Sequence, residues 1–584
     1  MKKILAAAWQ KDKKKFLLIL FLNIATALTS SISVVMLIPL LDLLEVSVGD
    51  ESTLGVLLQP FAGMSYMERS IVIIVAYIVL MLIQAALKGL AKVKENVYLE
   101  QYERELRTEL YNAISTSNWE VLSAKNGTDL LQLIVVQCRQ ARTCLHVMIS
   151  LLASSVTALL QLAIAVWMSL PVTLVALAVG IGFLFIFRPF TKKSKAFGKQ
   201  AIKISRELHR EVQNQLNSIK EIRAYGVQES NAQRFEEHSQ KSYDTNLRMV
   251  QLQVFPQFCY SVASAVLIAL AFVYSVLLLN TGTAQLVVLV YVISRLWPIF
   301  SSWQSQLQTI QTTLPAYETI KTAVTDLQEG TCEPEIQADA LKFEENIAFD
   351  QVCFTYRNGS EEVLQDLEFT LPCGSVTALV GPSGAGKSTT ADLLLGLLQP
   401  TKGQILVDGV PLTKENLGAW RKAIGYIPQE PLVINTTIRD NLLRFHPEAT
   451  EEEMIDALKR SLAWPFVEKL PNGLDTVLGD KGTRLSGGER QRIVLARVLL
   501  GNPRFIILDE ATSALDYESE TFIRETIRSL RNHTTVLVIA HRMATIRGAD
   551  RAVVILHGKI AEQGSLQELL QKENSYLAKM VSAE

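Results

Sequence analysis

Six long apolar runs, all before residue 303, most strongly constrain what this 584-residue chain can fold into. The runs lie at about residues 16–41, 71–90, 144–169, 172–190, 255–279 and 285–302. Each is close to the roughly 20 residues that a helix needs to cross a bilayer. The first run follows a basic start and is too long for the apolar core of a signal peptide, so we interpret it as a retained span. The sequence therefore predicts an all-α membrane domain of six helices over residues 1–325.

The segments between these runs predict how the domain sits in the membrane. Residues 42–68 carry acidic side chains and no Lys or Arg, whereas residues 92–142 and 192–248 are long and rich in both. By the positive-inside rule, the basic segments and both termini are expected in the cytosol. Both basic segments keep helical spacing with few breakers, so we expect the spans beside them to continue as long cytosolic helices. Short breaks at Asn118–Glu120 and Ala224–Gly226 mark the predicted tips.

A few polar residues interrupt the sixth run and the region after it. Arg295 lies within the run, and Gln304 and Gln306 follow it. A charge at membrane depth costs at least about 2.5–3.5 kcal/mol, so Arg295 is expected to face either a cavity or a partner helix. A cavity with apolar walls and these polar groups suits an amphipathic or anionic substrate, and a purely structural tie between helices is the alternative.

Composition excludes two other kinds of site. The net charge is -1, so no global field directs the chain to nucleic acid. Six cysteines form no CxxC pair and show no metal-ligand spacing with the histidines. We therefore expect reduced, chemically inert thiols and no nucleic-acid partner.

A phosphate-binding loop with the sequence GPSGAGKST occupies residues 381–389, directly after the apolar strand pattern of residues 376–380. In such loops the backbone N–H groups approach the phosphates, and the following helix N-terminus favours negative charge. The lysine contacts the β- and γ-phosphates of ATP, and the next hydroxyl binds Mg²⁺. The residues that we assign to this loop are Gly381, Ser383, Gly384, Gly386, Lys387, Ser388 and Thr389, with Ser388 on the metal.

Two further strands are predicted to bring charged groups to the same site. The buried strand 504–508 ends in Asp509 and Glu510, at the strand end where open α/β sheets bind ligands. Asp509 is expected on the Mg²⁺ side, and Glu510 is expected to orient or deprotonate the attacking water. Strand 535–540 ends in His541, which is placed to sense the γ-phosphate. The sequence thus predicts an α/β P-loop ATPase domain over residues 341–584, joined through a linker at 326–340.

With LSGGERQ at residues 485–491, the chain resembles the ATP-binding-cassette (ABC) family, and specifically its exporter-type half-transporters. The resemblance implies that Tyr356 stacks on adenine and that Gln429 binds Mg²⁺, takes part in catalysis and links the site to the membrane domain. It also implies coupling helices at both predicted tips. The positions that it assigns to the nucleotide held between two chains are Ser486, Gly487, Gly488 and Asp516. Glu489 differs from the Gln that many exporters carry there.

The resemblance also sets expectations for the whole transporter. It implies a dimer with a second copy or a paralogous half-transporter, in the bacterial inner (cell) membrane, with the ATPase domain in the cytosol. The expected activity is ATP-driven export or flipping of a lipid, lipid-linked glycan, peptide or drug-like molecule by alternating access. The long external connector and the Arg-Leu-x-Pro pattern at residues 295–298 resemble lipid-linked oligosaccharide flippases. Import of a siderophore or vitamin, and an ATP-gated channel or regulator, stay open as alternatives.

Overall fold

Two units make up the structure, which is a computed structural model. It describes residues 2–36, 66–168, 170–277, 283–329, 343–357, 359, 361–509, 534–540, 546–572 and 575–583. The first unit comprises Met1–Ser115 and Lys125–Glu329, and the second comprises Thr116–Ala124 and Gly330–Glu584. The short segment Thr116–Ala124 therefore belongs with the second unit, although the chain on both sides of it belongs to the first.

The first unit is helical throughout the part that the structure describes. In chain order the helices, including one at the tip, are α1 (Lys2–Lys11), α2 (Lys13–Val35), α3 (Tyr66–Thr116), α4 (Trp119–Ser123), α5 (Gly127–Gln132), α6 (Cys138–Met168), α7 (Leu170–Ile186), α8 (Arg188–Asn217), α9 (Ile219–Ala224), α10 (Gln228–Leu277) and α11 (Thr283–Gln328). A π-helical segment at Leu133–Gln137 joins α5 to α6. The long helices predicted for the two basic segments are confirmed. Each segment is interrupted near its predicted tip, where the short helices α4 and α9 lie, so Trp119 and Glu120 are helical and not part of a break.

Apolar length supports a membrane location for the first unit. Among the described residues, Lys13–Ser33, Ser70–Thr116 and Gly127–Val166 are helical segments long and apolar enough to cross a membrane. Leu177–Ile186 forms a shorter apolar helix. The fifth and sixth predicted runs fall in α10 and α11, where many side chains, that of Arg295 included, lie outside the described residues. Six spans therefore stay a prediction, as does the role of Arg295 and of the external connector at 42–70.

Buried aromatic side chains pack α7, α8, α10 and α11 together. Phe187, Tyr260, Trp297 and Phe300 form the centre of this cluster, and each is at most 5% exposed. The Trp297 indole donates a hydrogen bond to the backbone carbonyl of Tyr260. Aromatic rings contribute large buried areas and prefer edge-to-face contacts. This cluster therefore holds the four helices in one arrangement.

The two glutamines after the sixth run are bonded to neighbouring helices. Gln304 is buried, and its amide donates to the Thr191 hydroxyl over 3.1 Å. The Gln306 amide donates to Ser150 over 3.2 Å and accepts from Ser154 over 3.2 Å. Because buried amides are costly without partners, these bonds stabilise the bundle in this conformation.

Polar side-chain pairs join α3 to α6 around the start of the third apolar run. Arg142 lies 2.9 Å from Glu100 and 3.5 Å from the buried Glu103, and His146 lies 2.9 Å from Glu95. Arg107 pairs with Glu103 and also donates to a backbone carbonyl of the π-helical segment over 3.3 Å. The extension is therefore held by polar contacts, as expected of helices that leave the hydrocarbon region.

The second unit contains two sheets and a set of short helices. Its elements after the tip helix α4 are β1 (Asn346–Phe354), β2 (Leu364–Pro372), β3 (Val376–Val380), α12 (Lys387–Leu394), β4 (Lys402–Val407), β5 (Val410–Pro411), α13 (Leu417–Ala423), β6 (Ile424–Ile427), α14 (Ile438–Leu443), α15 (Glu451–Arg460), α16 (Trp464–Val467), α17 (Gly487–Leu500), β7 (Phe505–Asp509), β8 (Thr535–Ile539), β9 (Arg551–Leu556), β10 (Lys559–Ser565), α18 (Leu566–Gln571) and α19 (Tyr576–Ala583). The α/β class predicted for this half is confirmed.

The larger sheet has the strand order β10-β9-β3-β8-β7-β6, and the smaller has the order β2-β1-β4-β5. In the larger sheet β9, β3, β8, β7 and β6 run parallel, and only β10 pairs antiparallel to its neighbour. Along β7, Phe505 and Ile507 face one buried cluster while Ile506 and Leu508 face another. Burial on both faces explains why this strand is apolar throughout.

Two glycines in the first unit provide a matched test of the close packing between α8 and α11. A Cβ at Gly198 of α8 would lie 2.5 Å from the Thr312 carbonyl oxygen of α11, whereas a Cβ at Gly182 of α7 meets nothing within 4 Å. We expect Gly198→Ala to destabilise the protein by about 1–3 kcal/mol because the two backbones must separate. Gly182→Ala should be neutral or mildly stabilising. Thermal unfolding of the purified variants in detergent measures the difference, and equal melting temperatures would contradict the close approach.

Candidate nucleotide site

The phosphate-binding loop connects β3 to α12, as its sequence predicts. A Cβ at Gly381 would lie 2.2 Å from the Ile555 carbonyl oxygen, so only glycine fits there. Gly386 caps α12 with a φ of 105°, a left-handed conformation that other residues rarely adopt. Lys387 is 5% exposed, and its ammonium donates to the carbonyl oxygens of Gly381 and Pro382 over 2.8 and 3.0 Å. The loop thus curves around its own lysine ammonium, and Ser383, Gly384 and Ser388 are exposed on it.

Tyr356 lies beside the start of the same helix. Its hydroxyl is 3.2 Å from the Thr389 hydroxyl, and its ring packs edge-on against Phe354 at 4.8 Å between centroids. The side chain is 37% exposed, which leaves part of the ring open to a ligand. These contacts place an aromatic ring near the phosphate loop, in keeping with the adenine-stacking role that the resemblance implies.

The metal-side residues lie at the carboxyl edge of the large sheet. Asp509 is the last residue of β7, and Gln429 follows the end of the neighbouring strand β6 by two residues. The Tyr426 hydroxyl of β6 donates to Asp509 Oδ2 over 3.2 Å. Hydroxyl, amide and carboxylate oxygens from Ser388, Gln429 and Asp509 form a donor set that suits the hard cation Mg²⁺. The strand order therefore brings the predicted metal residues to one edge.

A second carboxylate, Asp392 of α12, lies near this edge. Burial, followed by the nearby Asp509 charge, raises the pKa of Asp392 to about 6, and a hydrogen bond from the Trp119 side chain opposes the shift. The same surroundings act on the phenol of Tyr426, whose pKa is raised first by burial and then by Asp509. Tyr426 therefore stays protonated at neutral pH and acts as a hydrogen-bond donor.

The tip segment Thr116–Ala124 contacts the residue that follows Tyr356. Asn118 caps the short helix α4, since its side-chain oxygen accepts from the Glu120 backbone N–H over 3.1 Å. The Glu120 carboxylate accepts from the backbone N–H of Arg357 and lies 3.7 Å from the Arg357 Nε. Arg357 is the residue directly after Tyr356. The tip is therefore bonded both to Arg357, beside Tyr356, and to Asp392 of α12, the helix that follows the phosphate-binding loop.

The signature motif forms the N-terminus of α17. Ser486 caps this helix: its hydroxyl accepts from the Glu489 backbone N–H over 3.3 Å, and the Glu489 carboxylate accepts from the Ser486 N–H over 2.8 Å. This reciprocal capping box explains why glutamate suits position 489, because a carboxylate is favourable at a helix N-terminus. Ser486 is exposed and Gly487 and Gly488 are partly exposed, so the helix end is open to a ligand or partner.

Three predicted site residues, Glu510, Asp516 and His541, lie outside the described residues, and their roles stay predictions. Sequence reasoning missed the roles of Tyr426, Asp392 and Arg357. Tyr426 stands three residues before Gln429 in YIPQ, and Asp392 stands five residues after Lys387. Their positions next to known motif residues were the available signal, but only strand pairing and helix packing show that they meet Asp509 and the tip.

Comparisons with known proteins agree with this geometry. A sequence model described as the ABC transporter transmembrane region matches residues 16–299, and one described as ABC transporter matches residues 364–513. The heterocyst differentiation ATP-binding protein HepA of a Nostoc species is 37% identical over 361 residues, 61% of this chain and 58% of that protein. An ATP-dependent lipid A-core flippase of Desulfotalea psychrophila is 41% identical over 257 residues, 44% of this chain and 43% of that protein.

A solved structure extends the likeness to nearly the whole chain. A bacterial Atm1-family ABC exporter with ATP bound superposes with a TM-score of 0.81 at 25% identity, covering 97% of this chain and 98% of the other. The curated relatives above are matched over only 58% and 43% of their own lengths.

Tyr356 offers a direct test of the adenine side. We expect Tyr356→Ala to raise the KM for ATP by about 5- to 150-fold with little change in kcat, since stacking on a base contributes about 1–3 kcal/mol in ground and transition states alike. Tyr356→Phe keeps the ring and removes only the hydroxyl that contacts Thr389, so its KM should stay close to the parental value. Steady-state ATPase assays measure both, and an unchanged KM for the alanine variant would remove Tyr356 from the site.

Proposed function

Because this chain belongs to the ABC transporter family and is an integral membrane protein, we propose that it couples ATP hydrolysis to the export or flipping of an amphipathic substrate. The observation that carries this proposal is the contact between the tip Thr116–Ala124 and the nucleotide site. The tip is flanked on both sides by long helices of the membrane unit. Glu120 and Trp119 therefore connect the nucleotide site to helices that continue into the apolar runs. A structural change at the site can pass to those helices through these two contacts.

In the proposed reaction, Lys387 binds the β- and γ-phosphates and the backbone N–H groups of the loop orient them. Ser388, Gln429 and Asp509 would hold Mg²⁺, which supplies positive charge to neutralise the phosphate oxygens. Glu510 orients or deprotonates the attacking water, and His541 contacts the γ-phosphate. Asp509 lies half-buried at the sheet edge. In this proposal, residues from separate structural elements at one edge of the sheet contact the phosphates, the metal and the water.

The proposed substrate class rests on the membrane unit. Its buried aromatic cluster of Phe187, Tyr260, Trp297 and Phe300 lies next to the bonded amides of Gln304 and Gln306. These rings and amides are packed against and bonded to neighbouring helices in this conformation, so a substrate would contact them only after the helices separate. Their chemistry matches a molecule with an apolar part and a polar part, such as a lipid or a lipid-linked glycan. The flippase named above acts on a lipid of this kind. The proposed location is a bacterial inner (cell) membrane, with both termini and the ATPase unit in the cytosol.

The second tip supports a dimer as the working unit. Around Ile219–Ala224 the side chains of Leu216 and Tyr225 are 66% and 79% exposed. Exposed large apolar side chains grouped in this way mark interaction surfaces. The first tip is bonded within its own chain, so we propose that the second tip contacts the ATPase unit of another chain. That chain is a second copy or a paralogous half-transporter, and its Ser486, Gly487, Gly488 and Asp516 would face the phosphate loop of this one.

Transport by purified protein tests the function itself. In proteoliposomes with the ATPase unit outside, we expect ATP-dependent movement of a fluorescent phospholipid or lipid-linked glycan between leaflets. Glu510→Gln should bind ATP normally and lose about 10²–10⁴-fold in hydrolysis, because the amide keeps the shape but loses the charge that activates water. The variant should lose transport to the same extent. Movement of substrate that persists in this variant at the parental rate would show a passive channel and refute coupling.

Mixed dimers test the assembly. Lys387→Ala and Ser486→Arg chains should each fail to occlude labelled ATP when alone. If each site combines the phosphate loop of one chain with the signature of the other, a mixed dimer has one doubly damaged and one intact site, and it should occlude ATP again. Co-purification through two different tags verifies that mixed dimers form. Absence of occlusion in verified mixed dimers would show that both motifs act within one chain.

A further inference from the structure

Tyr426 is a candidate for a role that the phosphate and signature motifs do not cover. It lies on β6, the edge strand of the large sheet, which runs parallel to β7. Tyr426 pairs in register with Ile507, two residues before Asp509 on the neighbouring strand. Its hydroxyl donates to Asp509 Oδ2 over 3.2 Å. The contact thus joins the two strands at the point where both enter the site.

The phenol can only be the donor in this contact, because an ionised carboxylate has no proton to donate. A hydrogen bond to a carboxylate is stronger than one between neutral groups and limits the rotation of the carboxylate. A second acidic side chain nearby, Asp392, makes such a restraint useful, since two carboxylates otherwise repel each other.

We propose that Tyr426 is a positioning residue that holds the Asp509 carboxylate in the orientation needed to bind Mg²⁺ with ATP. The inference rests on the proposed function in one respect, the assignment of Asp509 to the metal. Groups that hydrogen-bond a metal ligand commonly contribute 10- to 100-fold to metal affinity. Gln429, the second oxygen donor, follows Tyr426 by three residues and lies just beyond the end of β6.

The test measures metal binding directly, with Mn²⁺ as a paramagnetic substitute for Mg²⁺. Purified full-length protein is titrated with Mn²⁺ at a fixed ATP concentration, and bound metal is followed by EPR. We expect Tyr426→Phe to weaken Mn²⁺ binding about tenfold, while ATP binding in EDTA stays within about twofold of the parental value. The Mg²⁺ concentration that gives half-maximal ATPase activity should rise by the same factor. Tyr243→Phe, which removes an exposed tyrosine hydroxyl from α10, is the matched control and should change neither quantity.

Asp509→Asn separates failure of this inference from failure of its premise. If this variant loses Mn²⁺ binding while Tyr426→Phe retains the parental affinity, Asp509 is the metal residue and Tyr426 does not position it. If Asp509→Asn retains full Mn²⁺ binding, the metal assignment and the inference fall together. If Tyr426→Phe weakens ATP binding in EDTA as much as Mn²⁺ binding, or lowers the melting temperature well below that of Tyr243→Phe, the role of the hydroxyl is structural and the inference is overturned.

Discussion

The nucleotide site depends on the parallel pairing of β3, β8, β7 and β6. Because these strands run in the same direction and in register, their carboxyl ends meet at one edge of the sheet. The phosphate loop leaves β3 there, Asp509 ends β7 there, and Gln429 follows β6 there. None of these side chains is close to the others in sequence. Burial of apolar residues on both faces of the sheet maintains this alignment, so the chemistry depends on a core that itself takes no part in it.

The tip segment Thr116–Ala124 links that edge to the membrane unit. Its two contacts differ in kind: Glu120 pairs with Arg357 beside the tyrosine expected on adenine, and Trp119 donates to Asp392 on the helix that follows the phosphate loop. One short helix therefore bonds both to the residue beside Tyr356 and to the helix that follows the phosphate-binding loop. Exposed ion pairs are weak individually. The backbone hydrogen bond to Glu120 and the indole hydrogen bond to Asp392 strengthen the contact and also fix its direction. The second tip, around Ile219–Ala224, is exposed, and we propose that the ATPase unit of a partner chain contacts it.

Much of the fold was predictable because the local signals were strong. Residues 376–380, 504–508 and 535–540 were predicted as strands, and the structure has strands at Val376–Val380, Phe505–Asp509 and Thr535–Ile539. Apolar residues without interruption are typical of buried parallel strands, and here the pattern had no competing interpretation. The two tips were predicted from short breaks in otherwise helical spacing. Their contacts were not predictable, because no local pattern in Trp119 or Glu120 indicates which surface they meet.

The amino-acid sequence was enough to predict the order of the parts: the phosphate loop with Lys387 and Ser388, the signature at Ser486, and a helical membrane domain before them. Each of these follows from short-range patterns, since glycine positions, apolar length and charge type act within a few residues of the chain. Three contacts could be seen only in the tertiary structure. Tyr426 donates to Asp509, Asp392 lies near Asp509, and the first tip bonds to Arg357. Hydrogen bonds and pKa shifts of this kind depend on distances of a few ångströms between residues far apart in the chain, such as Glu120 and Arg357, which are 237 positions apart. Strand order and helix packing set those distances.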